Sequence, residues 1–421
     1  MKYRSAAQYA GCGKLYSLSP SDGERAGVRG NTRHHWAKRH SLTHTSPCPL
    51  PSLRGSGEGI FSIVCPLLSR SLISNSLLRL FLWALSLTVG AFSQISPDAK
   101  QKKDASATKT AVVAEEAMFK GCCDASAAAP ISTNLVVVAS DEENVLRVYD
   151  RVLGGMPVRS FDLSSHLGLG RGSSETDIEG AALLGDTVYW ITSHSRNSDG
   201  LFRPNRHRFF ATRFKVTGDR VEMEFVGRPY HRLLEDLGNS PRLAQLDLAR
   251  ASRLPPKNEG AVNIEGLCAT PDGRLFIGFR NPMPGGRALI IPLENPAEVV
   301  KGSAASPGQP ILLELDGMGI RDIAAGNGSY IIIGGSFHGG GKARLFRWKG
   351  GRSEPKQFQQ VHLKNLNPES IALSPDGSID AFQLFTDDSG KNPGGKRCID
   401  LFHDTARFFR GVWVGQGSQE R

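Results

Sequence analysis

The chain has 421 residues, 47 of them glycine and 24 proline, and a formal net charge of +10 at neutral pH. Eleven of its 51 basic residues but only three of its 41 acids fall within residues 1–93, leaving the remainder near +2. The basic balance therefore gives no support for nucleic-acid binding.

Residues 1–79 do not read as sequence selected to fold. The stretch 18–59 is crowded with Ser, Pro, Gly, Arg and His, and it reads either as translated intergenic sequence or as a disordered extension. No methionine occurs between Met1 and Met118, so a later start, near Val64 or Leu72, requires a non-ATG codon. Residues 80–93 form an apolar run that follows Arg79 and ends in Ala91-Phe-Ser93 before Gln94. This is the pattern of a signal-peptide hydrophobic region, shorter than the roughly 20 residues of a membrane span. It predicts cleavage near Ser93-Gln94, a secreted or periplasmic protein, and no transmembrane span in the mature chain. Residues 94–117 are polar and alanine-rich and read as a linker.

From 118 to 415 the texture is all-β. Five copies of one pattern recur: an acid, a small-apolar stretch, a tight turn and an apolar strand. They open at Asp124, Glu179, Glu265, Asp322 and Glu369. The second strands follow at 135–140, 188–193, 275–279, 330–334 and 379–385. Spacings of 55, 86, 57 and 47 residues match the blades of a β-propeller. In the second copy, strands at 179–184, 187–192, 208–216 and 221–226 make one four-stranded blade, with turns at Gly185-Asp186 and Thr217-Gly-Asp219. The long second interval is accounted for by 231–252, where leucines at 233, 234, 237, 243, 246 and 248 predict a helical insertion. The literal count is five blades, or six if one lacks the acidic start. The ending 408–414 is assigned to an outer strand that closes the ring.

Acids that open each innermost strand would ring the central channel, and a ring of carboxylates suits a hard cation such as Ca2+. In Glu175-x-Asp177-x-Glu179, alternate residues of a strand share one face. Asp177, Glu179, Glu265 and Asp322 are the candidate metal ligands, with Glu179 or Glu265 as a base. Asp141-Glu-Glu-Asn144 and Asp387-Asp388-Ser-Gly390 occupy matching places after second strands and mark one functional face. The basic counterparts are Arg196, Arg206 and Arg280, candidate grips for a phosphate or carboxylate, with His194 as candidate general acid. The plainer alternative is that these arginines pair with the acid anchors and hold the blades together. Four cysteines follow the cleavage site: Cys268 reads as a buried apolar residue, and Cys122 or Cys123 could pair with Cys398 where the ring closes.

Several of these motifs together resemble a bacterial family, domain of unknown function thirty-six sixteen, over roughly 118–412. They are Asp124-Ala-Ser, Asp141-Glu-Glu-Asn-Val-Leu-Arg-Val-Tyr149, Asp177-Ile-Glu-Gly180, Ser193-His-Ser-Arg196, Asn263-Ile-Glu-Gly266, Gly278-Phe-Arg-Asn-Pro282 and Gly319-Ile-Arg-Asp322. The resemblance implies a secreted or periplasmic protein and carries no established activity. A fainter similarity to phytase-like esterase propellers rests on Ile-Glu-Gly at Glu179 and Glu265, from which Asp322-Ile and Glu369-Ser depart.

The function expected from the sequence is an exported monomeric propeller that binds a divalent cation at an acidic channel mouth. There it would hydrolyse a phosphate ester or similar small anionic substrate. The alternative is a non-catalytic interaction module whose partner lies in the cell envelope. A sugar-cleaving propeller built on two carboxylates is a third reading.

Overall fold

Residues 111–170, 175–358, 361, 363, 365–374 and 376–416 are described by the computed structural model. The extension 1–79, the hydrophobic region 80–93 and the cleavage point near Ser93-Gln94 lie outside the described residues.

Two-residue turns set the first two strands of several copies side by side. Leu184 pairs with Thr187 across Gly185-Asp186, where Gly185 takes φ 64°, the conformation a hairpin turn demands and glycine supplies without strain. Gly326 pairs with Ser329 across Asn327-Gly328, both at positive φ. Each hairpin grows outward into a four-stranded antiparallel sheet, giving five blades. Blade 1 comprises Ala127–Pro130, Leu135–Ala139, Val145–Asp150 and Arg159–Asp162. Blade 2 comprises Ile178–Leu184, Thr187–Thr192, Phe209–Thr217 and Arg220–Tyr230. Blade 3 comprises Asn263–Ala269, Leu275–Asn281, Ala288–Leu293 and Ile311–Leu313. Blade 4 comprises Gly319–Gly326, Ser329–Gly335, Arg344–Trp348 and Lys356–Gln357. The innermost strands contact one another in order, the fifth returning to the first, so the protein is a closed five-bladed β-propeller.

Blade 5 is built from both ends of the described chain. Pro368–Leu373 pairs with Ala381–Thr386, which pairs with Phe408–Gln416, and that strand in turn pairs with Ala111–Lys120 as the outermost strand. The closing role thus falls to Ala111–Lys120, most of which the composition assigns to the linker, and Phe408–Gln416 is third in its blade. A strand's edge hydrogen bonds, satisfied only once the ring forms, override the weak local preference of an alanine- and lysine-bearing segment.

The core is divided among the seams between blades. Trp190 and Phe210 of blade 2 pack on Val137 and Val148 of blade 1. Phe119, Phe385 and Phe409 pack on Tyr149 at the closure. The seam between blades 2 and 3 is thickened by helices Leu233–Asn239 and Leu248–Ala251. Their Leu233, Leu237 and Leu248 are buried with Ile191, Phe209 and Ile277, each contributing about 1.5–3 kcal/mol through burial. The closure seam carries a polar lock. Arg151 of blade 1, 1% exposed, donates to the carbonyls of Ala372 and Leu373 and to Gln383 of blade 5, and lies over the Trp413 ring. A disulfide joins Cys123, just before blade 1, to Cys398 in the long loop of blade 5. Cys122 and Cys268 are free and buried. Among the described residues no helix is long and apolar enough to cross a membrane.

Candidate metal centre

Blades 2 to 5 share an irregularity at the start of the innermost strand. Pairing runs through Ile178 and resumes at Gly180, through Ile264 and resumes at Gly266, through Pro368 and resumes at Ser370. The skipped residues are Glu179, Glu265 and Glu369. A bulge re-aims its extra side chain away from the ladder, so these three glutamates occupy one station of the ring. In blade 4 the skipped residue is Arg321, between Ile320 and Asp322.

This corrects the place of Asp322. Its carboxylate accepts hydrogen bonds from the amides of Ile323 (2.8 Å) and Ile371 (2.7 Å), and so ties blade 4 to blade 5. Backbone amides, not a cation, take up its oxygens, and it drops out of the candidate metal ligands. Arg321 stands in the ring instead and forms ion pairs with Glu369 and, at 3.7 Å, with Glu265.

Glu265 is satisfied further by Arg280 at 2.6 Å and Asn263 at 2.7 Å. Its charge is thus balanced by arginines, unlike that of Asp141 and Glu179. Arg280 spends its second contact on the Ser336 carbonyl. Arg206 bridges Glu175 (2.7 Å) and Asp177 (2.9 Å). Arg196 donates to the carbonyls of Ser252 and Gly200. The three arginines assigned to an anionic substrate are thus committed to protein groups, Arg280 and Arg206 to carboxylates and Arg196 to backbone carbonyls.

His194 is also placed differently from its expected role. It sits at φ 52° and is 1% exposed, with Nδ1 against the Thr192 carbonyl at 2.8 Å and its ring against His207. Burial, reinforced by His207, lowers its pKa to about 3. The imidazole is therefore neutral near pH 7 and holds no acidic proton of the kind a general acid uses.

What remains is a compact set of carboxylates. Asp141, at the end of a blade 1 strand, Asp177 and Glu179 bring ligand oxygens within 4.8 Å of one another. Asp124 neighbours Asp141, with its Oδ1 buried and unpartnered. Among the described residues, Asp124, Asp141 and Glu179 form no ion pair. Asp177 alone is compensated, by Arg206 and by the hydroxyl of Ser193. Burial and the neighbouring carboxylates raise Asp124 and Glu179 well above the usual range. Asp141 is pushed up to about 7, chiefly by burial with Asp177, Glu142 and Asp387 adding to it. Asp177 rises to about 6 from burial, against the pull of Arg206. Like charges held this close out of water are stable only with a proton or a cation between them.

Asp141 is the member that motif spacing did not join to the anchors. It comes from the neighbouring blade, and its sequence signal is the acidic cluster that follows the second strand in the first and last copies.

The fold and this mouth define a five-bladed propeller with an acidic end to its channel. Residues 226–375 match the family model described as protein of unknown function (DUF3616), so the resemblance to domain of unknown function thirty-six sixteen holds over the insertion, blades 3 and 4 and the start of blade 5. No curated protein matches the chain. Among solved structures, the chain is similar to glutaminyl cyclase of Myxococcus xanthus at 12% identity and TM-score 0.37, covering 73% of this chain and 97% of that one. It is similar to a luciferin-regenerating enzyme at 7% identity and TM-score 0.33, covering 72% and 95%. A GH43 glycoside hydrolase shares 12% identity at TM-score 0.36, covering 65% and 50%.

Proposed function

We propose that this propeller is an exported protein that binds a divalent cation of the calcium type at its acidic mouth, through Asp141, Asp177 and Glu179. The observation that carries the reading is the convergence of these three carboxylates with no cationic partner on two of them. Calcium accepts six to eight oxygens in flexible geometry, so three carboxylates completed by water form a fitting set. Asp124 would then act beside the ligands, orienting Asp141 by sharing a proton with it. The Cys123–Cys398 disulfide supports export, since such bonds persist in oxidising compartments.

For activity, binding ranks ahead of turnover. A cation here could polarise the oxygen of a phosphate ester, but His194, Arg196, Arg206 and Arg280 are engaged elsewhere, which leaves hydrolysis without its anion grip and proton donor. That engagement favours the second reading, an interaction module of the cell envelope stabilised by its cation. Calorimetric titration of the metal-free protein with calcium tests the site: one ion per chain, lost in Asp141→Asn, is the expected result. A normal titration in Asp141→Asn would move the cation elsewhere. Calcium-dependent cleavage of a chromogenic phosphate ester, abolished by the same substitution, would restore the hydrolase reading.

A further inference from the structure

Two segments depart from the plan of a four-stranded blade, and they meet. The long loop that follows Thr187–Thr192 and the helical insertion line an open cleft of about 610 Å³, a volume within the range of small-molecule sites. Its apolar side is formed by Phe202, Leu234 and Leu248. Phe202 is left 56% exposed there, although its ring lies 4.9 Å from that of His207 and beneath the Arg196 guanidinium.

The charge of the cleft is one-sided. Arg196, Arg208 and Arg253 line it, against Glu235, whose carboxylate is held by Arg232. Arg196 and Arg208 direct donors to backbone carbonyls, so they supply positive field more than free donors. Arg253 makes no side-chain hydrogen bond or ion pair among the described residues. The Nε2 of His207 is buried without a partner on the same wall. A cation is excluded from such a place by repulsion, and a doubly charged phosphate would find too few free donors. One negative charge on an apolar body fits both the single free guanidinium and the walls.

We propose that this cleft binds a small carboxylic acid, its carboxylate on Arg253 and its apolar body against Phe202, Leu234 and Leu248. The site is separate from the acidic mouth and does not depend on the cation reading.

The test uses 4-phenylbutyrate as probe and 4-phenylbutanol as its uncharged counterpart, each titrated calorimetrically into the full chain with chelator present. The acid should bind one per chain with a Kd below about 1 mM, and the alcohol about tenfold more weakly. Arg253→Glu, a change at an exposed position, should weaken the acid at least about tenfold while leaving the melting temperature unchanged. Glu179→Gln should leave the affinity untouched, which separates this site from the mouth. Absence of binding up to about 10 mM, equal affinity for acid and alcohol, or full binding by Arg253→Glu would each overturn the proposal.

Discussion

Asp141 of blade 1 and Glu179 of blade 2 bring carboxylate oxygens within 4.8 Å of each other, and neither has an ion-pair partner among the described residues. The neighbouring anchors show that arginine was an available solution. Glu265 is paired with Arg280 and Arg321, Glu369 with Arg321, and Asp177 with Arg206. The uncompensated pair is where the proposed cation would sit.

Without a cation, that pair makes stability depend on pH with a definite sign. Carboxyls whose folded pKa is raised stabilise most below their unfolded pKa, near 4, and the contribution is lost as pH rises through the folded value. For Asp177 and Asp141 those values are about 6 and about 7. In chelator the melting temperature should fall between pH 5 and pH 8 through this cluster. Glu179→Gln should flatten that fall and raise the midpoint at pH 8 by about 2 °C. An unchanged profile in Glu179→Gln would show that the cluster is not the source.

His194 acts in the opposite direction. Its folded pKa is lowered to about 3, so its contribution is present above about pH 6.5 and drains away as pH falls toward the folded value. His194→Asn retains a donor for the Thr192 carbonyl and tolerates the left-handed backbone. It should lose part of the destabilisation between pH 6 and pH 4. A His194 imidazole proton resonance, assigned by its loss in His194→Asn, that titrates above pH 6 in the native protein would contradict the assignment.

The ring closure should be sensitive at Arg151. Arg151→Met strands the carbonyls of Ala372 and Leu373 and the amide of Gln383, and should cost about 3 kcal/mol in denaturant unfolding. Arg151→Lys should recover little, because an ammonium does not reproduce the planar fork that serves these acceptors. A Lys variant as stable as the native protein would mean that charge alone suffices.

The disulfide can be counted directly. Alkylation of unfolded, unreduced residues 94–421 should label Cys122 and Cys268 only. Cys398→Ser should lower stability by about 2–4 kcal/mol. It should also weaken calcium binding, since Cys123 immediately precedes Asp124. Labelling of all four thiols would remove the bond and the argument for an oxidising compartment with it.

The blade repeat was legible because each copy carries its own acid and small-residue strand, and all but the first a glycine turn, all local signals. The insertion was legible from leucine spacing that no strand accommodates. The ring itself was not fully legible. Whether Arg321 or Asp322 faces the mouth depends on a bulge, which is a property of two paired strands and leaves no mark on one. Asp141 joins Glu179 only because blades 1 and 2 are neighbours in space. The arginines looked available because their partners, Glu265, Glu175 and backbone carbonyls, lie far away in the chain or in loops without regular pattern.

The most direct measurement is the thermal unfolding midpoint of residues 94–421, in calcium and in chelator, for the native sequence and for Glu179→Gln. A bound cation raises the midpoint with the logarithm of its concentration above Kd. The account predicts a saturable rise in the native protein and none in Glu179→Gln, with the two converging in chelator at low pH. Identical midpoints in calcium and chelator for the native protein would contradict it, and would assign the acids of the mouth to shared protons.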